Sequence, residues 1–166
     1  SNGGPVLNRE IEIPKPANSS IRPLELSIEN LFSEEEIAQH KKMASRLGPE
    51  HLVEVNSGQD ADGNWQVTIV CVDHTGQLSL ICGLLFVHGF HIDEGNVVSR
   101  SAANVTAGRG EFPQMMAVLK VHPDEGSIAE GLWGQYAEEL AELTNKVHAG
   151  NPFEAQGELA RRVALA

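Results

Sequence analysis

An α+β fold built on one antiparallel sheet is what the sequence predicts, and three features predict it. Residues 65–73 (Trp-Gln-Val-Thr-Ile-Val-Cys-Val-Asp) are β-branched and almost continuously apolar, as a central strand is. Residues 90–101 and 115–121 carry two further extended patterns, separated by a Gly/Ala/Asn-rich loop at 102–110. Two helical patterns are interleaved with these strands. The clearer one places Ile128, Leu132, Tyr136, Leu140, Leu143 and Val147 on one face, mostly four residues apart.

Element by element, residues 4–30 contain Pro5, Pro14, Pro16 and Pro23 around Asn18-Ser19-Ser20, the composition of an extended linker. Ser33 with Glu36 has capping-box spacing, and Phe32 precedes it, so a helix is expected over 34–47, ended by Gly48-Pro49. Its apolar stripe of Ile37, His40, Ala44 and Leu47 is thin, which suits a peripheral helix. Leu52, Val53 and Val55 alternate as a short strand, and residues 58–64 read as a turn into the central strand. After His74-Thr75-Gly76 a helix over 77–88 presents Leu78, Ile81, Cys82 and Leu85 on one face, with Leu80, Leu84 and Val87 beside them. Gly89 is expected as its left-handed C-terminal cap. Residues 123–126 (Pro-Asp-Glu-Gly) form a turn, and Ser127 with Glu130 repeats the capping-box spacing before the long helix. Gly150 and Pro152 end that helix, and 153–166 begins another amphipathic segment.

From Trp65 onward the order strand, helix, strand, strand, helix supplies five of the six elements of a ferredoxin-like arrangement. The strand at 52–55 is expected to fill the vacant sheet edge from the N-terminal side. Helices are expected on one face of the sheet only. Because Met115, Ala117, Leu119 and Val121 alternate with Met116 and Val118, both faces are apolar, and a twin subunit or another domain is expected to cover the second. The chain then divides into a tag remnant (Ser1-Asn2-Gly3) and linker at 1–30, a peripheral helix at 31–49, the sheet domain at 50–126 and a helical segment at 127–166. The helical pattern still running at Ala166 suggests a piece of a longer protein.

Composition narrows the function. The chain has 166 residues with 23 acidic and 12 basic side chains, a formal charge of −11 that cannot assemble the cationic face a phosphate backbone requires. Nucleic acid is therefore not an expected partner. No apolar run approaches the roughly 20 residues of a membrane span, so a cytoplasmic protein is expected. Cys71 and Cys82 both sit in apolar stretches and are read as reduced core thiols. GxGxxG after a strand, GxxxxGK[ST] and nucleophile-elbow signatures do not occur, and Gly108-Arg109-Gly110 is a loop with one cation. No catalytic residue and no cofactor is assigned. His88, His91, Asp93 and Glu94 have metal-like spacing, but His88 at a helix end and the two acids on a wet strand face are read as structural.

The segment Asp73-His74-Thr75-Gly76-Gln77-Leu78 has more content. A carboxylate ends a central strand, a glycine permits the turn, and a helix opens with unpaired amides, which together suit a zwitterion. Here the chain resembles the ACT domain family, small ferredoxin-like modules that bind amino acids and regulate attached enzymes. That family's Asp-x-Pro-Gly-x-Leu and later Gly-x-Asn-Ile are matched by Asp73, Gly76, Leu78, Gly89 and Ile92, with Thr75 at the proline position and His91 at the asparagine position. The resemblance spans residues 52–123. The preceding Phe32–His40 helix and His51–Val55 strand resemble the run before the ACT repeats of bacterial uridylyltransferase/uridylyl-removing enzymes, or a related glutamine-synthetase adenylyltransferase.

The resemblance implies a non-catalytic regulatory domain sensing a glutamine-type nitrogen signal for an attached nucleotidyltransferase. It implies that Asp73 orients the ligand ammonium, that backbone amides of Thr75, Gly76, Gln77 and Leu78 hold its carboxylate, and that His91 or Asn96, beside Ile92, reads its side chain. The partners implied are an amino-acid effector and a second copy of the chain, or the parent's catalytic domain, against the sheet. The competing reading is a dimerisation or protein-interaction module with no ligand.

Overall fold

The computed structural model describes residues 31–100 and 113–166. The predicted loop at 102–110 and the linker at 1–30 lie outside them. The described elements run α1 (Glu34–Ser45), β1 (Val53–Gln59), β2 (Trp65–Val72), α2 (Gln77–Val87), β3 (Phe90–Arg100), β4 (Gln114–Pro123), α3 (Leu132–His148) and α4 (Pro152–Leu165). The four strands form one antiparallel sheet in the order β1-β2-β4-β3. The fold is α+β, and this strand order is compatible with a ferredoxin-like arrangement.

β2 is central because six consecutive residues, Val67 to Val72, are buried, which only a strand covered on both faces can manage. β1 joins its free edge through a hairpin. Asp60 closes the turn by accepting the amides of Asp62 and Asn64, both at 2.9 Å, with Gly63 at φ +88°. The N-terminal strand thus takes the edge position that the element order left open.

One face of the sheet carries the main core. Val67, Ile69 and Cys71 of β2 and Met115, Ala117, Leu119 and Val121 of β4 pack with Leu80, Ile81, Leu84 and Leu85 of α2 and Tyr136, Leu140 and Leu143 of α3. Tyr136 is fully buried, and its hydroxyl donates to the Ile81 carbonyl at 2.9 Å, tying α3 to α2. α4 lies against α2 and α3 and continues this layer, with Ala155 and Leu159 buried.

The second face corrects one expectation, that helices cover one side only. Met43 and Leu47, in and just after α1, pack with Val70 and Met116, which point away from the main core. α1 begins where its sequence says: Ser33 Oγ accepts the Glu36 amide at 3.0 Å and Glu36 accepts the Ser33 amide at 2.9 Å. Phe32 packs edge-on against His40. Part of the face assigned to a partner is therefore covered by the chain's own helix.

Two further expectations change. The long helix starts at Leu132 behind Gly131 (φ +81°), so the Ser127/Glu130 spacing is not its cap. The buried face of α2 is Gln77, Leu80, Ile81, Leu84 and Leu85, while Leu78 and Cys82 lie at its margin. Gly89 does follow α2 in the left-handed conformation at φ +85°, its amide donating to the Phe86 carbonyl.

Candidate functional site

The turn between β2 and α2 sits at the end of the central strand. Asp73 is half-buried, and its amide donates to the Pro113 carbonyl at 2.9 Å. Gly76 adopts φ +86°, a value costly for any residue with a Cβ, and caps α2 without a side-chain hydrogen bond. The first bond within α2 runs from the Leu80 amide to the Gly76 carbonyl, so the amides of Leu78 and Ser79 have no intrahelical acceptor. Thr75 and Gly76 are exposed beside them. Asp73, Thr75, Gly76 and Leu78 are thus neighbours around one helix N-terminus.

Gln77, expected among the backbone donors, is committed elsewhere. Its amide donates to the His74 carbonyl at 3.0 Å. Its side chain is turned into the core, where Nε2 donates to Thr144 Oγ1 at 2.9 Å and contacts Cys71 Sγ at 3.6 Å. Its Oε1 is buried with no hydrogen-bond partner.

His91, Ile92 and Asn96 are not brought to this turn within one chain. Val72 pairs with Gln114, and Gln114 with Arg100, so the far end of β3 neighbours Asp73. His91 and Ile92 pair with His122 and Val121 at the opposite end of the sheet, roughly 25 Å away at about 3.3 Å per strand residue. Asn96 pairs with Val118 in mid-sheet and, by alternation with Val97, faces the second side.

Three groups at the turn were not legible as site residues. Gln156 of α4 lies over Gly76, its Nε2 only 3.2 Å from where a Cβ would stand. A groove of about 530 Å³ continues from there between α2 and α4, lined by Ser79, Cys82, Gly83, Gln156, Leu159 and Val163. His74 Nε2 lies 3.0 Å from Nδ1 of His148 at the end of α3. Burial lowers the His74 pKa below the ordinary imidazole value, His148 lowers it further, and Asp73 opposes both.

The cysteines are free thiols. Burial pushes the Cys71 thiol up to about 12, and raises that of Cys82 as well, which disfavours the thiolate a nucleophile or metal ligand needs. The spacing of His88, His91, Asp93 and Glu94 does not close into one cluster: His88 Nε2 pairs with Glu139 Oε1 at 2.7 Å, whereas His91 pairs with Asp124. Among the described residues no helix is long and apolar enough to cross a membrane. Comparison with known proteins finds no family model that matches the chain and no curated protein similar to it.

Proposed function

We propose that the chain is a non-catalytic regulatory domain of the ACT type that takes a small amino acid at the β2–α2 turn and passes the signal to an attached enzyme. The observation that carries this reading is the turn itself: a half-buried carboxylate, a left-handed glycine and a helix opening without a side-chain cap meet at the end of the central strand. A helix N-terminus favours a carboxylate, and in this reading Asp73, three residues before it, takes the ammonium. The strand order β1-β2-β4-β3 supports the same family, since the βαββ run from β2 to β4 occupies the ferredoxin-like positions. In this reading Gln156 joins Asp73, Thr75, Gly76 and Leu78 as a contact, while Gln77 serves the core.

His91 and Asn96 reach a ligand at this turn only from a second copy, which makes the site a seam between protomers. A ligand there shifts assembly or the attitude of a neighbouring domain in proportion to its difference in affinity between the two states. The resemblance points to a glutamine-type signal and a uridylyl- or adenylyltransferase as the regulated enzyme.

A thermal-shift panel of the twenty amino acids tests the reading. A ligand at a hundred times its Kd stabilises by about 2.7 kcal/mol, and Asp73→Lys abolishes the shift while the unliganded melting temperature stays within a few degrees. No response to any amino acid supports the ligand-free interaction module instead.

A further inference from the structure

We propose that His74 and His148 form a proton-operated latch that holds the end of α3 on the β2–α2 turn and releases the turn when both rings are charged. Nε2 of His74 lies 3.0 Å from Nδ1 of His148, and the ring centroids are 5.1 Å apart at an interplanar angle of 45°. At that distance the contact is a hydrogen bond with one proton in it, one ring donating and the other accepting through its lone pair. It survives with both rings neutral or with one of them charged. With both charged, every ring nitrogen carries a hydrogen, neither ring can accept, and the contact has to open.

This bond is the outer of two that join one face of α3 to the turn. Thr144, one helical turn before His148, accepts from Gln77 Nε2 at 2.9 Å, and both of those residues are buried. Gln77 and His74 are themselves joined, the Gln77 amide donating to the His74 carbonyl at 3.0 Å. The inner amide–hydroxyl bond does not titrate and keeps α3 docked in every state. The outer bond links a half-buried ring to an exposed one, within reach of protons from solution. Its opening therefore frees the turn without undocking the helix.

The groups acting on the charge of His74 are His148 across the contact and Asp73 on the same turn. From α4 the neutral Gln156 lies over Gly76, and Lys146 of α3 is engaged with Glu154 and Glu158 of α4. Burial lowers the His74 pKa and His148 lowers it further, against Asp73, the direction expected of a pair that resists holding two protons. In the amino-acid reading of the turn, on which this consequence rests, a charged His74 competes with the ligand ammonium for Asp73. Acidification then both loosens the turn and releases the ligand.

NMR of the whole ¹⁵N-labelled chain between pH 8 and 5, with no amino acid added, tests the latch. The His74 ring is expected to titrate below the ordinary imidazole value and to move up toward it in His148→Ala, while His122→Ala leaves it in place. The Gln77 amide, which closes the turn on the His74 carbonyl, is expected to lose hydrogen-exchange protection several-fold on acidification, while the α3 amides keep theirs. In His148→Ala its protection is expected to be low at both ends of the range. A His74 titration indifferent to His148→Ala, or Gln77 protection untouched by both acid and the variant, would overturn the proposal. Affinity for an amino acid that binds at the turn is expected to be about three- to fivefold weaker at pH 5.5 than at pH 7.5, the scale of an exposed ion pair, and level in His74→Gln. Equal affinity in the unmodified chain would overturn the link to the ligand. Absence of any amino-acid binding would remove the ligand reading of the turn, and the ring titration and Gln77 protection would still decide the latch.

Discussion

Gln77 and Thr144 form a fully buried polar pair in an otherwise apolar layer, joining the first turn of α2 to the last third of α3. Removing one partner leaves an amide proton without an acceptor, so Thr144→Val is expected to destabilise by about 1–3 kcal/mol. The double variant Gln77→Met/Thr144→Val removes the orphan Oε1 as well and is expected to recover most of that loss. Urea denaturation of the single and double variants measures the coupling. Nothing in the sequence marked Gln77 as a core residue. A glutamine at the start of a helix ordinarily faces water, and only the approach of α3 gives its amide a partner. The hydrophobic members of the same core, Ile81, Leu85, Tyr136 and Leu140, were legible because their spacing alone puts them on one face.

His74 governs a pH dependence at the same scale. Its pKa is lowered in the folded chain by burial and by His148, so the unfolded state binds the proton more readily. The neutral ring's contribution is therefore complete above the ordinary imidazole range and declines as pH falls through it. His40, also lowered by burial, acts in the same direction. Glu139, lowered chiefly by its hydrogen bond from His88 against an opposing burial cost, contributes stability that is lost only at lower pH, as its carboxylate protonates. Stability is expected to fall between pH 7.5 and 5.5, and His74→Gln is expected to reduce that fall. Urea midpoints at the two pH values check it; an identical fall in the variant would remove His74 from the account.

At the scale of elements, two glycines allow close approach between neighbours. A Cβ on Gly95 of β3 would stand 2.6 Å from Leu119 Cδ2, and one on Gly83 of α2 would stand 2.8 Å from Leu159 Cδ2 of α4. Gly95→Val is expected to cost about 1–3 kcal/mol by overpacking, read as a lower urea midpoint with an unchanged m-value. Element identity and order were largely legible: β2 by its apolar continuity, α1 by its capping box and Gly89 as a cap by its position after a helical run. The identical spacing at Ser127 and Glu130 misled, because local sequence permits two starts, and the left-handed Gly131 fixes the later one. Register was not legible. That His91 meets His122, and that Asp73 meets neither, follows from pairing between strands far apart in sequence, which no local pattern encodes.

For the whole molecule, the second face of the sheet decides how far a partner is needed. Apolar residues on both sides of β4 demanded a cover, and α1 supplies it over Val70 and Met116 through Met43 and Leu47. Because Met43 is almost wholly buried there, Met43→Ala is expected to destabilise the chain by about 2 kcal/mol or more, which a peripheral, weakly docked helix would not show.

Amide NMR of the ¹⁵N-labelled chain, titrated with glutamine and then with the other amino acids, reads the regulatory proposal at its source. The account predicts saturable shifts of the Thr75, Gly76, Leu78 and Ser79 amides and of the Gln156 side chain, all absent in Asp73→Lys. Unmoved amides at this turn under every amino acid, or shifts confined to another surface, would contradict it.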